Sequence, residues 1–368
     1  MSRRVALAAA LILALLIAIP PIQTTAQPAL VKVRYGISPF QDTLLPIVGQ
    51  AKGWYKAEGL DVEFKILGWT EVQEALAAGE VDVAINNISS TVATHERWPQ
   101  FVYYYGFNIF TAGAALLGRP GKVKSVEQIQ KEKGISRPAA VKLAIKQLKG
   151  KTVVTAGNTD MEQAVVGAAF RVGMDWRKDF KIVDMNPDEG LAAFLSGTGD
   201  AYLGGIPQRT RAVKEGMVVI ASGPDLAPPP INGIVTTEAY ADKNQETLLK
   251  LVHVWFRIVR FVDANKEAGA QIVLDTLNKQ TGAQMTVNDF TSFWNKLENY
   301  PLNAGEVERD ILSPNGYAYW KKRFDDCNWY FHTVKGVIKN DVNAKDAMLL
   351  LQTQAAYVKK YGKNETGY

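Results

Sequence analysis

Residues Leu60–Asn87 read LDVEFKILGWTEVQEALAAGEVDVAINN, and a similar unit returns at Lys178–Gly205. Laying Phe64, Lys65 and Ile66 over Phe180, Lys181 and Ile182, with a two-residue insertion, sets Gly79 and Asp82 over Gly197 and Asp200, and Ala84 over Leu203 or its neighbour. Alternation of Val62, Phe64 and Ile66 predicts a strand with one apolar face. Val72, Ala75 and Leu76, and in the second copy Leu191, Phe194 and Leu195, recur at helical spacing and predict a helix whose apolar face covers a sheet. Gly79 and Gly197 stand where those helices end, a place that favours a left-handed residue, and Asp82 and Asp200 lead into the apolar runs VAI and AYL. Each copy therefore reads as a strand–helix–strand crossover. Two copies predict two α/β lobes with mostly parallel sheets, and ligands of such sheets bind beyond the carboxyl ends of the strands. The cleft between the lobes is where a site is expected.

A length of 368 residues suits two domains, and 47% hydrophobic residues suffice for their cores. The amino terminus carries Arg3 and Arg4, an apolar run from Val5 to Ile19, then Pro20, Pro21 and a polar stretch to Ala26. This is the pattern of a secretory signal cleaved near Ala26, because the run falls short of the roughly 20 residues that span a bilayer. Ser2-Arg3-Arg4 resembles a twin-arginine signature, but Ala6 and the Leu- and Ile-rich run favour the general secretory route. Losing residues 1–26 removes two arginines and no acids, so the formal charge falls from +5 to +3. So small an excess, without a Lys/Arg cluster, gives no footprint for nucleic acid. The lone Cys327 excludes an intrachain disulfide and, set in FDDCNWYF, reads as a buried structural thiol.

Further along, Val31, Val33 and Tyr35 alternate as a strand before the loop GISPFQD, and AKGWYKAEGLDVEF leads into the quoted stretch. The segments AKGWYKAEGLDV at 51–62 and LAAGEVDVA at 76–84, with LKGKTVV at 148–154, resemble the substrate-binding proteins of bacterial ABC importers for nitrate, sulfonate, taurine and thiamine precursors. The resemblance spans about residues 31–265. It implies a type II periplasmic binding fold: two α/β lobes, a two-segment hinge, and a helical C-terminal extension that covers the first lobe. The implied layout is a signal over 1–26, a first lobe of 27–112 with 232–368, and a second lobe of 113–231. Chain crossings are implied near Thr111–Gly118 and Pro230–Thr236. Residues 122–149 exceed the family's usual short link and read as an extra helix pair. Helical spacing predicts a long helix over 246–264 and further helices over 268–279, 287–297, 318–336 and 344–361.

The loops after the strands supply polar groups and aromatic walls. Ser38, Phe40 and Gln41 follow the first strand, Trp69 and Thr70 the second, and Asn86, Asn87 and Ser89 the third. Opposite them stand Asn158, Thr159 and Asp160 at a helix start, then Gly205 and Gln208 after the repeat strand, with Asn232 at the return crossing. A helix start offers free backbone N–H groups to an anion, whereas Asp160 would repel an anion and suit an ammonium group. Trp69 and Phe40 suit a flat or cationic ligand. Trp69→Ala and Asn158→Ala are each expected to weaken binding with little effect on stability.

Catalytic and metal-ligating residues are not expected. His95, His253 and His332 lie far apart in sequence, and Asp82 and Asp200 share one slot of a repeat, which suits a structural role better than acid–base work. No cofactor is expected. The function implied is that of a monomeric periplasmic receptor, partnered by an inner-membrane ABC permease, which binds a small sulfonate, amine or heterocycle by hinge closure. An exported or pyrimidine-precursor-type enzyme on the same fold, or a ligand sensor for a signalling receptor, is the competing reading.

Overall fold

The computed structural model describes residues 29–368, so the expected export signal over 1–26 lies outside the described residues. Strands β1 (Val31–Ile37), β2 (Leu60–Ile66), β3 (Val83–Asn87), β4 (Phe101–Ile109) and β10 (Ile231–Thr237) form one sheet, in the order β2-β1-β3-β10-β4. Strands β5 (Ala115–Gly118), β6 (Thr152–Thr155), β7 (Lys181–Asp184), β8 (Ala201–Gly204) and β9 (Val218–Ser222) form the second, in the order β7-β6-β8-β5-β9. In each, the two strands of the repeated unit flank the strand that precedes them, all three parallel. An antiparallel strand then joins on the far side, β10 in one sheet and β5 in the other.

The repeat aspartates explain how the units lock. The Asp82 carboxylate accepts the Arg34 backbone N–H at 2.8 Å while the Asp82 N–H donates to the Arg34 carbonyl. Asp200 makes the same pair with Thr152, again at 2.8 Å from the backbone N–H to the carboxylate. Each side chain extends the ladder one residue below the point where two parallel strands would otherwise part. Gly79 and Gly197 follow the helices Glu71–Ala77 and Pro187–Leu195 at φ of +69° and +115°, where a Cβ is disfavoured.

Two segments cross between the sheets, 110–114 out of β4 into β5 and 223–230 out of β9 into β10. They run side by side, with the Phe110 N–H donating to the Pro230 carbonyl at 3.0 Å. A third segment joins them. The Asn299 and Ile109 backbones exchange two hydrogen bonds at 2.9 Å, and the Ala112 N–H reaches the Leu297 carbonyl at 2.7 Å.

Residues 122–149 form two helices, Val126–Lys133 and Arg137–Lys146, the first opened by a Ser125/Gln128 capping box and ended by Gly134. The helix Gln245–Ala264 buries Leu248, Leu251, Val252, Trp255, Ile258, Val259 and Val262, the face expected from their spacing. With Tyr357 it covers the aromatic strand β4, where Tyr103, Tyr104 and Tyr105 are all buried.

The C-terminal extension reaches further than expected. Besides the first sheet's helix Ile88–Thr94, the helix Trp320–Asn328 and the π-helical turn Trp329–Lys335 after it pack on the helix Asp160–Arg171 of the second lobe. Phe170 meets Trp329 edge to face, Lys335 lies over the Trp176 ring and pairs with Glu162, and Arg171 pairs with Asp326. Sequence spacing gave these residues an apolar face but not the second surface on which it lies.

Candidate functional site

Beyond the carboxyl ends of β1, β2 and β3 on one side and β6, β7 and β8 on the other lies a cleft with about 670 Å3 of space between protein atoms, part of it open to solvent. One side supplies Phe40, Asp42, Trp69, Thr70, Asn87, Phe110 and Asn232. The other supplies Ala156, Thr159, Asp160, Met161, Asn186, Pro187, Leu203, Gly204, Gly205, Ile206 and Gln208. The placement follows from topology: strands of one direction deliver their following loops to one edge, and the two edges meet.

Of the residues singled out in the sequence, Phe40, Trp69, Thr70, Asn87, Thr159, Asp160, Gly205, Gln208 and Asn232 come together on this lining. Phe40 and Trp69 meet edge to face with ring centroids 5.8 Å apart, forming one wall. Phe110 stands across from Gly205, where an added Cβ would come within 3.0 Å of its ring. Thr159 caps its helix by accepting the Met161 N–H at 3.2 Å, and its hydroxyl donates to the Ala156 carbonyl at 2.7 Å.

Five expected residues are placed outside this lining, Gln41 and Ser89 by contacts distant in sequence. Gln41 donates to the buried Glu298, and the Ser89 hydroxyl accepts from Arg323 and touches Cys327 at 3.4 Å. Asn86 steadies the neighbouring loop, its Nδ2 donating to the Trp69 carbonyl at 3.4 Å. Ser38 is fully buried beneath the first loop, its carbonyl accepting from the Thr43 hydroxyl. Asn158 is exposed, at φ +54°, and its backbone N–H donates to Glu162 at 2.9 Å. It is a left-handed turn residue, a conformation asparagine tolerates better than alanine, so a substitution there acts on the backbone.

Asp42 and Phe110 are the chief residues that sequence reading passed over. Asp42 is 3% exposed and accepts from Asn232 Nδ2 at 2.6 Å, while the same amide donates to Asn108 Oδ1 at 3.1 Å. Burial pushes the Asp42 carboxyl up to about 6 despite the Asn232 bond, and the charge of Asp160 adds to the rise. Asp160, 6% exposed, is also raised by burial, against the opposing charge of Arg323 and a hydrogen bond from Asn87. Behind Asp42, Glu298 is raised well above the usual range by burial and by the Asp42 charge, and Tyr300 donates to it. The only sequence signal for Asp42 was its place at the end of the loop GISPFQD, and for Phe110 its place at the first crossing.

Arg323 holds the site from behind. It is 1% exposed, and its guanidinium donates to Ser89 of the first lobe, to Gln163 of the second at 2.9 Å, and to the Pro228 carbonyl of the crossing at 2.9 Å. Among the described residues, no group of three His, Cys, Asp or Glu is placed to hold a metal ion. Burial pushes the Cys327 thiol up, as suits a structural cysteine.

The model of the NMT1-like family matches residues 26–277. The chain belongs to the NMT1-like family. Solved structures share the fold of this NMT1-like protein. The periplasmic aliphatic sulphonate binding protein SsuA from Escherichia coli is similar with a TM-score of 0.61 at 15% identity, over 84% of this chain and 95% of its own. The periplasmic nitrate-binding protein NrtA from Synechocystis PCC 6803 gives 0.62 at 15% identity, over 91% and 86%. The alkanesulfonate-binding protein SsuA from Xanthomonas axonopodis pv. citri, solved bound to MOPS, gives 0.60 at 14% identity, over 88% and 99%. At such identities the likeness is one of fold. No curated protein sequence matches the chain. This NMT1-like protein thus has the expected type II periplasmic binding fold: two α/β lobes, a two-segment hinge and a helical C-terminal extension.

Proposed function

We propose that this protein is the solute-binding component of an ABC importer, a monomer exported to the periplasm after cleavage near Ala26. In this reading it takes a small organic compound into the cleft and presents its closed form to an inner-membrane permease. The lobes are 27–112 with 232–368, and 113–231, so that hinge motion falls on the two crossing segments. A solute touching both lobes favours the closed form, because only there are all its contacts made.

The observation that carries the reading is the cleft itself, bounded by the carboxyl edges of both sheets and lined by half-buried aromatic rings beside buried polar side chains. Family membership and the likeness to binding proteins support it. No chemistry on the solute is part of the proposal. The direct test is thermal unfolding of the purified protein against a panel of sulfonates, carboxylates, amines and pyrimidines, since a compound that binds only the folded state raises the midpoint. One class is expected to raise it, and the compound is expected to be recovered unchanged. No rise with any class, or turnover of the compound, would overturn the proposal.

A further inference from the structure

The polar atoms that face the cleft are unbalanced. Two N–H groups of the turn just before the helix start are taken by the protein's own carboxylates: the Gly157 N–H donates to Asp184 at 2.6 Å and the Asn158 N–H to Glu162 at 2.9 Å. Across the cleft the Gly68 N–H donates to Glu71 at 2.8 Å. Among what is left over, the Trp69 indole Nε1 is a buried donor without a partner, and the remaining groups are acceptors. Gln208 is 1% exposed on the cleft wall, its Nε2 given to Asp188 at 2.9 Å and its Oε1 without a hydrogen-bond partner. Asp42 and Asp160 add two buried carboxylates to the same lining. Among the described residues no lysine, arginine or histidine lines the cleft. Arg323 sits behind Asp160, outside the lining, its two terminal nitrogens donating to Ser89, Gln163 and Pro228 and its Nε buried without a partner, so it offsets one negative charge from behind the cleft wall.

We propose that the cleft takes an organic cation: a protonated amine on a flat or apolar body, the amine bonded to Asp42 and Asp160 and the body held by Phe40, Trp69 and Phe110. This rests on the solute-binding reading and names its ligand class. An ammonium brings three donors and no acceptor to a site whose unpaired side-chain atoms, the Trp69 Nε1 apart, are acceptors. Its charge relieves the repulsion between two buried carboxylates, and the aromatic faces attract it as well. A sulfonate or nitrate would bring acceptors to acceptors and a third negative charge to the same space, which is unfavourable on both counts.

The test is titration calorimetry of the purified protein with benzylamine, phenethylamine and 3-(aminomethyl)pyridine, each beside the alcohol and the sulfonate of the same body. At least one amine is expected to bind about tenfold or more tightly than its alcohol, and the sulfonates more weakly than either. Asp160→Asn and Asp42→Asn are expected to lower amine affinity by a similar factor and to leave the alcohol unchanged. Both variants should keep the parent's unfolding midpoint or exceed it, because each removes a buried charge; that measurement shows the loss is not one of folding. A sulfonate or alcohol binding as tightly as its amine, or amine affinity indifferent to both substitutions, would overturn the cation assignment and leave solute binding standing. Failure of all nine compounds would count against both.

Discussion

At the scale of single residues the site turns on Asp42, whose carboxyl titrates near 6, within reach of ordinary buffers. The charged and titratable groups that face it are Asp160 across the cleft and Glu298 with Tyr300 behind, and Asn232 donates to it. Two opposite pH trends follow. Because its folded value is raised, ionising Asp42 costs stability: the contribution is intact below about 4 and is lost as pH rises through about 6, by roughly 3 kcal/mol in all. Amine binding, which needs the charge, weakens as pH falls below about 6. The unfolding free energy of Asp42→Asn minus that of the parent should therefore be largest above pH 6 and shrink below 4, and the parent's amine affinity should follow the same course, high above pH 6 and falling below it. A difference that does not vary with pH would refute the assignment. Much of the lining was legible in the sequence because it follows strands whose alternation was plain, as with Phe40, Trp69 and Thr159. Gln41 and Ser89 read the same way but turn from the cleft toward Glu298 and Arg323, more than 200 residues along the chain, and no local pattern reports a partner that distant.

At the scale of elements, the repeat was readable because one physical demand recurs: an apolar strand, a helix to cover it, a glycine to end the helix and an aspartate to extend the ladder. Asp82 and Asp200 confirm that logic by the same backbone bond in both lobes. The helix Trp320–Asn328 was readable as a helix, yet its role was not, because a helical period shows which face is apolar and not how many surfaces meet it. Through Arg323 this helix ties both lobes and the second crossing together. Arg323→Ala leaves buried acceptors on three segments unpaired and should cost about 3 kcal/mol in denaturant unfolding. It also removes the charge that opposes the rise of Asp160, so amine affinity at neutral pH should fall with it. Arg323→Lys keeps the charge but cannot span three acceptors, and should recover affinity better than stability. An unchanged unfolding free energy in Arg323→Ala would show that the tie is not energetic.

At the scale of the whole molecule, two sheets of matching order face each other across a cleft, joined by two crossings and braced by a C-terminal extension that rests on both. A solute in the cleft would therefore be held by residues delivered from both sheets, Asp42 and Trp69 from one, Thr159 and Asp160 from the other. The measurement that tests this most directly is a crystal structure of the protein with its tightest-binding amine. The account predicts one solute between the Phe40/Trp69 wall and the Thr159/Asp160 helix start, its nitrogen within hydrogen-bond reach of a carboxylate and its body touching both lobes. A solute bound elsewhere, or held by one lobe alone, would contradict it.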